Sequence, residues 1–523
     1  MHVALALLAT LLVSGTNASP LARDDGTLIT TSQGSVQGTL VSSSVRQWLG
    51  IPYASPPTGT LRFQPPQSAP SRSGTLSATT FGSSCPALLG TEFLELVGML
   101  QQQESVPVDE DCLNLNIWAP ATGRPQGGAV LLWVYGGSFQ FGTSNTPYYS
   151  GQSFVDGFDD IVVVTINYRL NIFGFPNAPQ QLINIGLLDI DAAIQWVYTN
   201  IAAFGGDPER ITIFGESAGA IAVDAYAFSH PEDTTVKGII AESGTAWFEA
   251  LGSTDPASFS AANSSWNTVA SALGCSTSGD AAQLACVQEV PWQVLLNEVI
   301  SSGETFSSYA DGQTLFSDVS TRSTSGEFLK VPFLVGHNAD EGDIFVVALE
   351  EGDFNFTIPV ATTVLSDALT ELLAHCPAEQ EAGDRVSAGV PTWRYIFEGV
   401  YPDLTDNNPN LRAYHSSEIP LVFGTYNDST FPYGPTSSEI ALSSWMQGAW
   451  VAFAQDPVNG LTNYGWPSYG SLPVLYTLAE LGNSNNPDGP TYSVAATLDV
   501  GCGVVNTLTP LVFQAISLLG GVL

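Results

Sequence analysis

Two stretches in the first third of the chain are apolar without alternation: Ala129 to Tyr135 and Asp160 to Tyr168, the latter reading Asp-Ile-Val-Val-Val-Thr-Ile-Asn-Tyr. A strand with one face in water alternates apolar and polar residues, so unbroken runs predict strands buried on both faces, in a central sheet covered by helices. From Leu187 to Ile201, the positions Leu188, Ala192, Ile194, Trp196 and Ile201 recur at helix-compatible spacing. A third β-branched run, Arg210 to Phe214, breaks into Gly215-Glu216-Ser217-Ala218-Gly219 and continues as a helix-compatible stretch to Tyr226. Strand, helix, strand, turn, helix is alternating α/β winding. Further strands are predicted at Val236 to Ala241, Phe333 to Gly336 and Trp393 to Phe397, and loops at Ser301 to Tyr309 and Leu404 to Asn410. There is no internal repeat, low-complexity tract or Pro/Ser linker dividing two patterned halves. The expectation is one elaborated α/β domain with a large, mostly parallel central sheet flanked by helices.

Charge narrows the partners. Against 50 Asp and Glu stand 13 Lys and Arg, a net charge of −37, which repels polyanions and excludes nucleic acid. The same acidity suits a protein exported into acidic surroundings. Val3 to Val13 is an apolar run too short to span a bilayer, followed by Ser14 to Ala18 with a small residue at the end. Residues 1–18 read as a signal peptide, although the usual Lys or Arg ahead of the run is missing. The mature domain is then 19–523, expected to be secreted, extracellular and soluble, since the apolar stretch Leu508 to Leu523 is broken by Pro510, Gly520 and Gly521. The six cysteines, Cys85, Cys112, Cys275, Cys286, Cys376 and Cys502, form no C-x-x-C or Cys/His cluster, so disulfides are expected and no metal. Spacing alone leaves fifteen connectivities open. Asn263, Asn355 and Asn427 begin Asn-x-Ser/Thr sequons and are candidate glycosylation sites.

The chemistry centres on Ser217. In Gly-x-Ser-x-Gly between a strand and a helix, the glycines let the two elements approach while the serine takes a strained turn that exposes its Oγ. A serine hydroxyl needs a general base, and the base needs an acid to orient its ring and stabilise its cation. Beyond His2, histidines occur at His230, His337, His375 and His415. In α/β hydrolases the order is serine, acid, histidine, and only His415 leaves room for a strand-end acid between it and Ser217.

Gly50 to Ala54 with Pro56, Pro57, Gly59, Arg62 and Phe63, Glu110 to Asn116, Tyr135-Gly136-Gly137-Ser138-Phe139, Phe204 to Pro208 leading into the elbow, Asp340-Glu341-Gly342, and His415 to Gly424 occur in order along nearly the whole mature chain. In these motifs the sequence closely resembles the type-B carboxylesterase/lipase family, which includes cholinesterases, fungal lipases and secreted fungal esterases. The resemblance implies an α/β-hydrolase fold, with Glu341 as the acid and His415 as the base. It implies oxyanion donors at the backbone N–H groups of Gly137, Ser138 and Ala218, with Ser138 standing where three glycines are common. It also implies a structural Arg62–Glu110 ion pair, Ser243 close to the acid–base pair, and a Cys85–Cys112 disulfide; Cys275–Cys286 and Cys376–Cys502 are then the expected remaining pairs. No cofactor is implied.

For substrate, the apolar Leu88, Leu89, Phe93, Leu94, Leu96, Val97, Met99 and Leu100 match a loop that serves as a lid in lipase members, which implies a lipid-like or steryl ester and contact with a lipid interface. The same loop read as a fixed pocket wall weighs equally. Phe139, Trp247 and Phe248 are implied pocket residues and favour the alternative, an aryl or feruloyl ester. The fold also supports non-catalytic cholinesterase-like adhesion proteins, but those lose members of the triad, and here all three are present.

Overall fold

The unalternated runs become the middle of a large sheet. The computed structural model describes residues 25–88, 106–179, 181–247, 264–276, 279, 281–351, 362–428, 433–470 and 476–503. A small sheet combines β1 (Leu28–Thr31), β2 (Gly34–Gln37) and β5 (Leu76–Ser77). The main sheet contains β3 (Thr39–Leu40), β4 (Val45–Pro52), β6 (Asn114–Pro120), β7 (Gly128–Val134), β8 (Ile161–Ile166), β9 (Gly206–Glu216), β10 (Val236–Glu242), β11 (Phe333–Asn338), β12 (Thr392–Phe397), β13 (Thr477–Leu481) and β14 (Pro490–Val494). Its order is β14-β13-β12-β11-β10-β9-β7-β8-β6-β4-β3.

From β8 across to β13 every neighbouring pair is parallel. The flanking pairs β3–β4, β4–β6, β6–β8 and β13–β14 are antiparallel. Parallel neighbours require crossovers, and the helices that make them cover both faces; β7, β8, β11 and β12 are accordingly buried at every position. The helix Ile185–Phe204 joins β8 to β9 and stops at Gly205, whose φ of +98° a side chain would disfavour. Ala218–Ser229 joins β9 to β10, and Ser437–Gln455, opened by a Thr436/Glu439 capping box, lies between β12 and β13. The sequence runs announced β7 to β12 and not β1 to β6, β13 or β14; of these, β13 and β14 are short elements at one edge of the main sheet whose pairing is set by tertiary contact. Of the two expected loops, the first begins with the last helical residues Ser301 and Ser302, and the second begins with Leu404 and Thr405, the last residues of the short helix Pro402–Thr405.

Three disulfides close the expected pairs, Cys85–Cys112, Cys275–Cys286 and Cys376–Cys502. Among the described residues no helix is long and apolar enough to cross a membrane. The N-terminal segment 1–18, most of the apolar loop (89–105), Phe248, Asn263 and Asn355 lie outside the described residues. Asn427 is exposed in the short helix Tyr426–Asp428. The loops after β7, β9 and β11 emerge at the carboxyl edge of the parallel strands, where open α/β sheets bind ligands.

Candidate active site

Ser217 sits between β9 and the helix Ala218–Ser229 at φ 56° and ψ −125°. The tightness of this turn fixes its glycines. A Cβ on Gly219 would lie 2.0 Å from Val134 O, and one on Gly215 would lie 2.6 Å from the backbone of both Val134 and Gly219. The Ser217 N–H donates to Glu242 O at 2.8 Å, tying the turn to the end of β10. Ala218 is the first residue of its helix, so its N–H has no acceptor within the helix.

The turn carrying His415 is clamped to the end of β11 by Asn338. Its Nδ2 donates to Tyr414 O at 2.7 Å and to Glu418 Oε2 at 2.5 Å, while its backbone N–H donates to Glu341 Oε1 at 2.7 Å. Arg412 adds ion pairs to Asp340 and Asp343 at 2.7 Å each. This anchoring brings His415 Nδ1 to 2.5 Å from Glu341 Oε2. The other ring nitrogen, Nε2, lies 3.2 Å from Glu216 Oε1, and Ser416 Oγ donates to that same oxygen at 2.5 Å. Ser217 and His415 face one cleft; no hydrogen bond joins them, a looseness common in hydrolases without substrate.

The imidazole is surrounded by carboxyls. Burial by itself lowers its pKa, but Glu216, Glu341 and Glu418 overcome that effect and raise it to about 10. Burial in turn raises Glu216, Glu242 (to about 8) and Glu418, each pushed further by neighbouring acids. Glu242 is partly compensated by Trp450 Nε1, which donates to its Oε1 at 2.8 Å. A site of this kind holds protons on some carboxyls and leaves negative charge for a cation that forms on the ring.

The loop after β7 packs against the elbow. A Cβ on Gly136 would lie 2.7 Å from Ser217 Cβ, and one on Gly137, at φ 105°, would lie 2.4 Å from Phe141 O. Among the described residues the N–H groups of Gly137 and Ser138 have no acceptor, and both residues line the cleft beside Ser217. The cleft encloses about 590 Å³ including its open mouth, with walls formed by Phe141, Tyr148, Tyr149, Ile344, Phe345 and Ile419. Of the expected pocket residues, Phe248 lies outside the described residues and Phe139 does not line this cleft. Phe139 is buried, its ring centroid 5.0 Å from Phe175 and 6.4 Å from Tyr168, at a φ of +59°. Trp247 is also buried and does not line the cleft.

Ser243, at φ 58°, follows β10 directly, and its buried hydroxyl has no hydrogen-bond partner among the described residues. Arg62 and Glu110 form a buried bidentate pair, both contacts 2.6 Å, and Arg62 Nη1 also donates to Val290 O at 2.6 Å. The pair ties the N-terminal segments to the helix Ala281–Glu289 and lies away from the cleft. Among the described residues, the metal-like grouping Glu371, His375 and Cys502 offers no thiolate, because Cys502 is in a disulfide. Sequence reasoning did not single out Glu216, Glu242, Asn338, Ser416 or Glu418 as site residues. Three of them, Glu216, Ser416 and Glu418, lie inside the quoted motifs; nothing local distinguished them from spacer positions.

A sequence profile of the carboxylesterase family matches residues 25–358 and 359–491. Secreted lipase 5 of Gibberella zeae is 35% identical over 477 residues, covering 84% of this chain and 87% of that protein. The chlorogenic acid esterase of Aspergillus niger is 35% identical over 485 residues, 88% of this chain and 90% of that one. The acetylcholinesterase of Bungarus fasciatus is 28% identical over 509 residues, 84% and 80% respectively. Matches that run from the first described strand to the last, on an α/β-hydrolase sheet with a serine at its elbow, place the chain among carboxylic ester hydrolases: it belongs to the carboxylesterase family.

Proposed function

We propose that Ser217, His415 and Glu341 are the catalytic triad, and that the enzyme cleaves compact aryl esters through an acyl-enzyme. The observation that carries this reading is the convergence of the elbow, the His415–Glu341 pair and the Gly137–Ser138 loop on one aromatic-walled cleft. Ser217 Oγ attacks the ester carbonyl as its proton passes to His415 Nε2. Glu341 stabilises the imidazolium through Nδ1–H, and the N–H groups of Gly137, Ser138 and Ala218 receive the oxyanion. His415 returns the proton to the departing alkoxide, and a water deprotonated by the same nitrogen releases the acid.

For substrate, Phe345, with its ring 5.6 Å from that of His415, and Phe141, Tyr148 and Tyr149 favour a flat acyl or alcohol group. A relative called a chlorogenic acid esterase supports this choice. The lipid-like alternative rests on the 89–105 loop and on a relative called a secreted lipase. Export is supported by the disulfides and by that same relative. Ser217→Ala is expected to remove ester hydrolysis and labelling by a serine-reactive phosphonate, with a rate loss on the order of 10³-fold or more; an active Ser217→Ala enzyme overturns the triad. A hydroxycinnamoyl ester is expected to be cleaved with a higher kcat/KM than long-chain acyl esters. Preference for the long chains with activation at a lipid interface overturns the aryl reading.

A further inference from the structure

Ser416 occupies an expensive backbone position. Its φ is +75°, in the left-handed region where a glycine is accommodated without penalty and a side chain is not. A serine kept there is explained by what its hydroxyl does, and its Oγ donates to Glu216 Oε1 at 2.5 Å. Glu216 is buried, it directly precedes Ser217, and the oxygen that Ser416 contacts is the one 3.2 Å from His415 Nε2. Ser416 is thus the polar hydrogen donor that fixes the carboxyl facing the reactive nitrogen.

Resting on the triad assigned above, we propose that Ser416 is a positioning residue for the hydrolysis: its hydroxyl holds the Glu216 carboxyl aimed at His415 Nε2, so that the imidazolium formed in each half-reaction meets a carboxyl oxygen at both ring nitrogens. The charged and titratable groups around this ring come from every neighbouring element: Glu341 from the turn after β11, Glu216 from the elbow, Glu418 from the turn after His415, Glu242 from the end of β10, and the phenols Tyr149 and Tyr395 behind Glu216. The guanidinium on the same turn, Arg412, is paired to Asp340 and Asp343, so the groups that shift the ring upward are carboxyls. Glu418 accepts from Asn338 Nδ2, and Glu242 from Trp450. Glu216 in the same way has Ser416 as its neutral donor. Without that donor a buried carboxyl favours its protonated form, its attraction for the imidazolium falls, and the ring's pKa drops.

Ser416→Gly tests this, because it removes the hydroxyl and relieves the left-handed backbone angle at once, so the fold is not put at risk. The expected result is a kcat lower by about tenfold, a KM within about twofold, and the acid limb of the pH–kcat profile displaced to lower pH. Glu216→Gln is expected to produce the same displacement, and Ser416→Gly made in the Glu216→Gln enzyme to add less than about twofold. An unchanged profile in Ser416→Gly, or losses that multiply in the double variant, overturns the inference. Failure of the triad itself is separately visible, since hydrolysis would then survive Ser217→Ala, whereas failure of this inference alone leaves a Ser217-dependent enzyme with an unaltered limb.

Discussion

Around the cleft, Ser138, Phe139, Ser217, Ser243 and Ser416 all carry side chains at φ between +53° and +75°. Such angles cost on the order of 1–3 kcal/mol each, so surrounding contacts must hold them. Asn338 is one of the holding groups, since its side-chain amide and backbone N–H bind the His415 turn and Glu341 together. Asn338→Ala strips the donor from two buried acceptors, Tyr414 O and the Glu418 carboxyl. The expected cost is about 2–3 kcal/mol of stability, read as a lower denaturant midpoint, together with a fall in kcat as the His415–Glu341 contact loosens. A variant with unaltered kcat would show that the turn holds its shape without the clamp.

At the scale of elements, the strand–elbow–helix unit depends on backbone proximity. Because a Cβ on Gly219 would approach Val134 O to 2.0 Å, Gly219→Ala must push the helix Ala218–Ser229 off β7. We expect a loss of about 3 kcal/mol or more, with hydrolysis reduced even in the folded fraction, since the same shift displaces Ala218 N–H. Thermal unfolding and kcat measured on one preparation check both. The Cys376–Cys502 disulfide works between elements instead, closing a separation of 126 residues and pinning the segment after β14 to the helix Cys376–Ser387. Replacing both cysteines by alanine is expected to cost roughly 4–5 kcal/mol on the chain-entropy account, visible as a lower midpoint with little change in KM, because the bridge lies away from the cleft.

Over the whole molecule, the excess of acid reaches inside. Burial raises Asp191 to about 6, Glu381 to about 7, and Glu242 and Glu439 to about 8. Carboxyls whose folded pKa exceeds the unfolded value of about 4 bind more protons when folded. Their stabilisation is full below that unfolded value and is lost as pH rises through the folded values. The melting temperature is therefore expected to be highest in acid and to fall between about pH 4 and pH 8; a melting temperature that rises over that window contradicts the assignment. On the proposed triad, activity is expected to run the other way, because His415, whose pKa is raised, would have to lose a proton before accepting one from Ser217. The sequence by itself determined six of the sheet's strands, β7 to β12, and the Gly-x-Ser-x-Gly elbow. Those are local signals, because unalternated runs and paired glycines express the needs of their own backbone. Only the tertiary structure decided which carboxyls face His415, since Glu216 and Ser416 meet across 200 positions of chain and neither has a local pattern. It also decided that Phe141, Tyr148 and Phe345, not Phe139 or Trp247, line the cleft, because where a ring points depends on the backbone angle beneath it and on the neighbours it packs against.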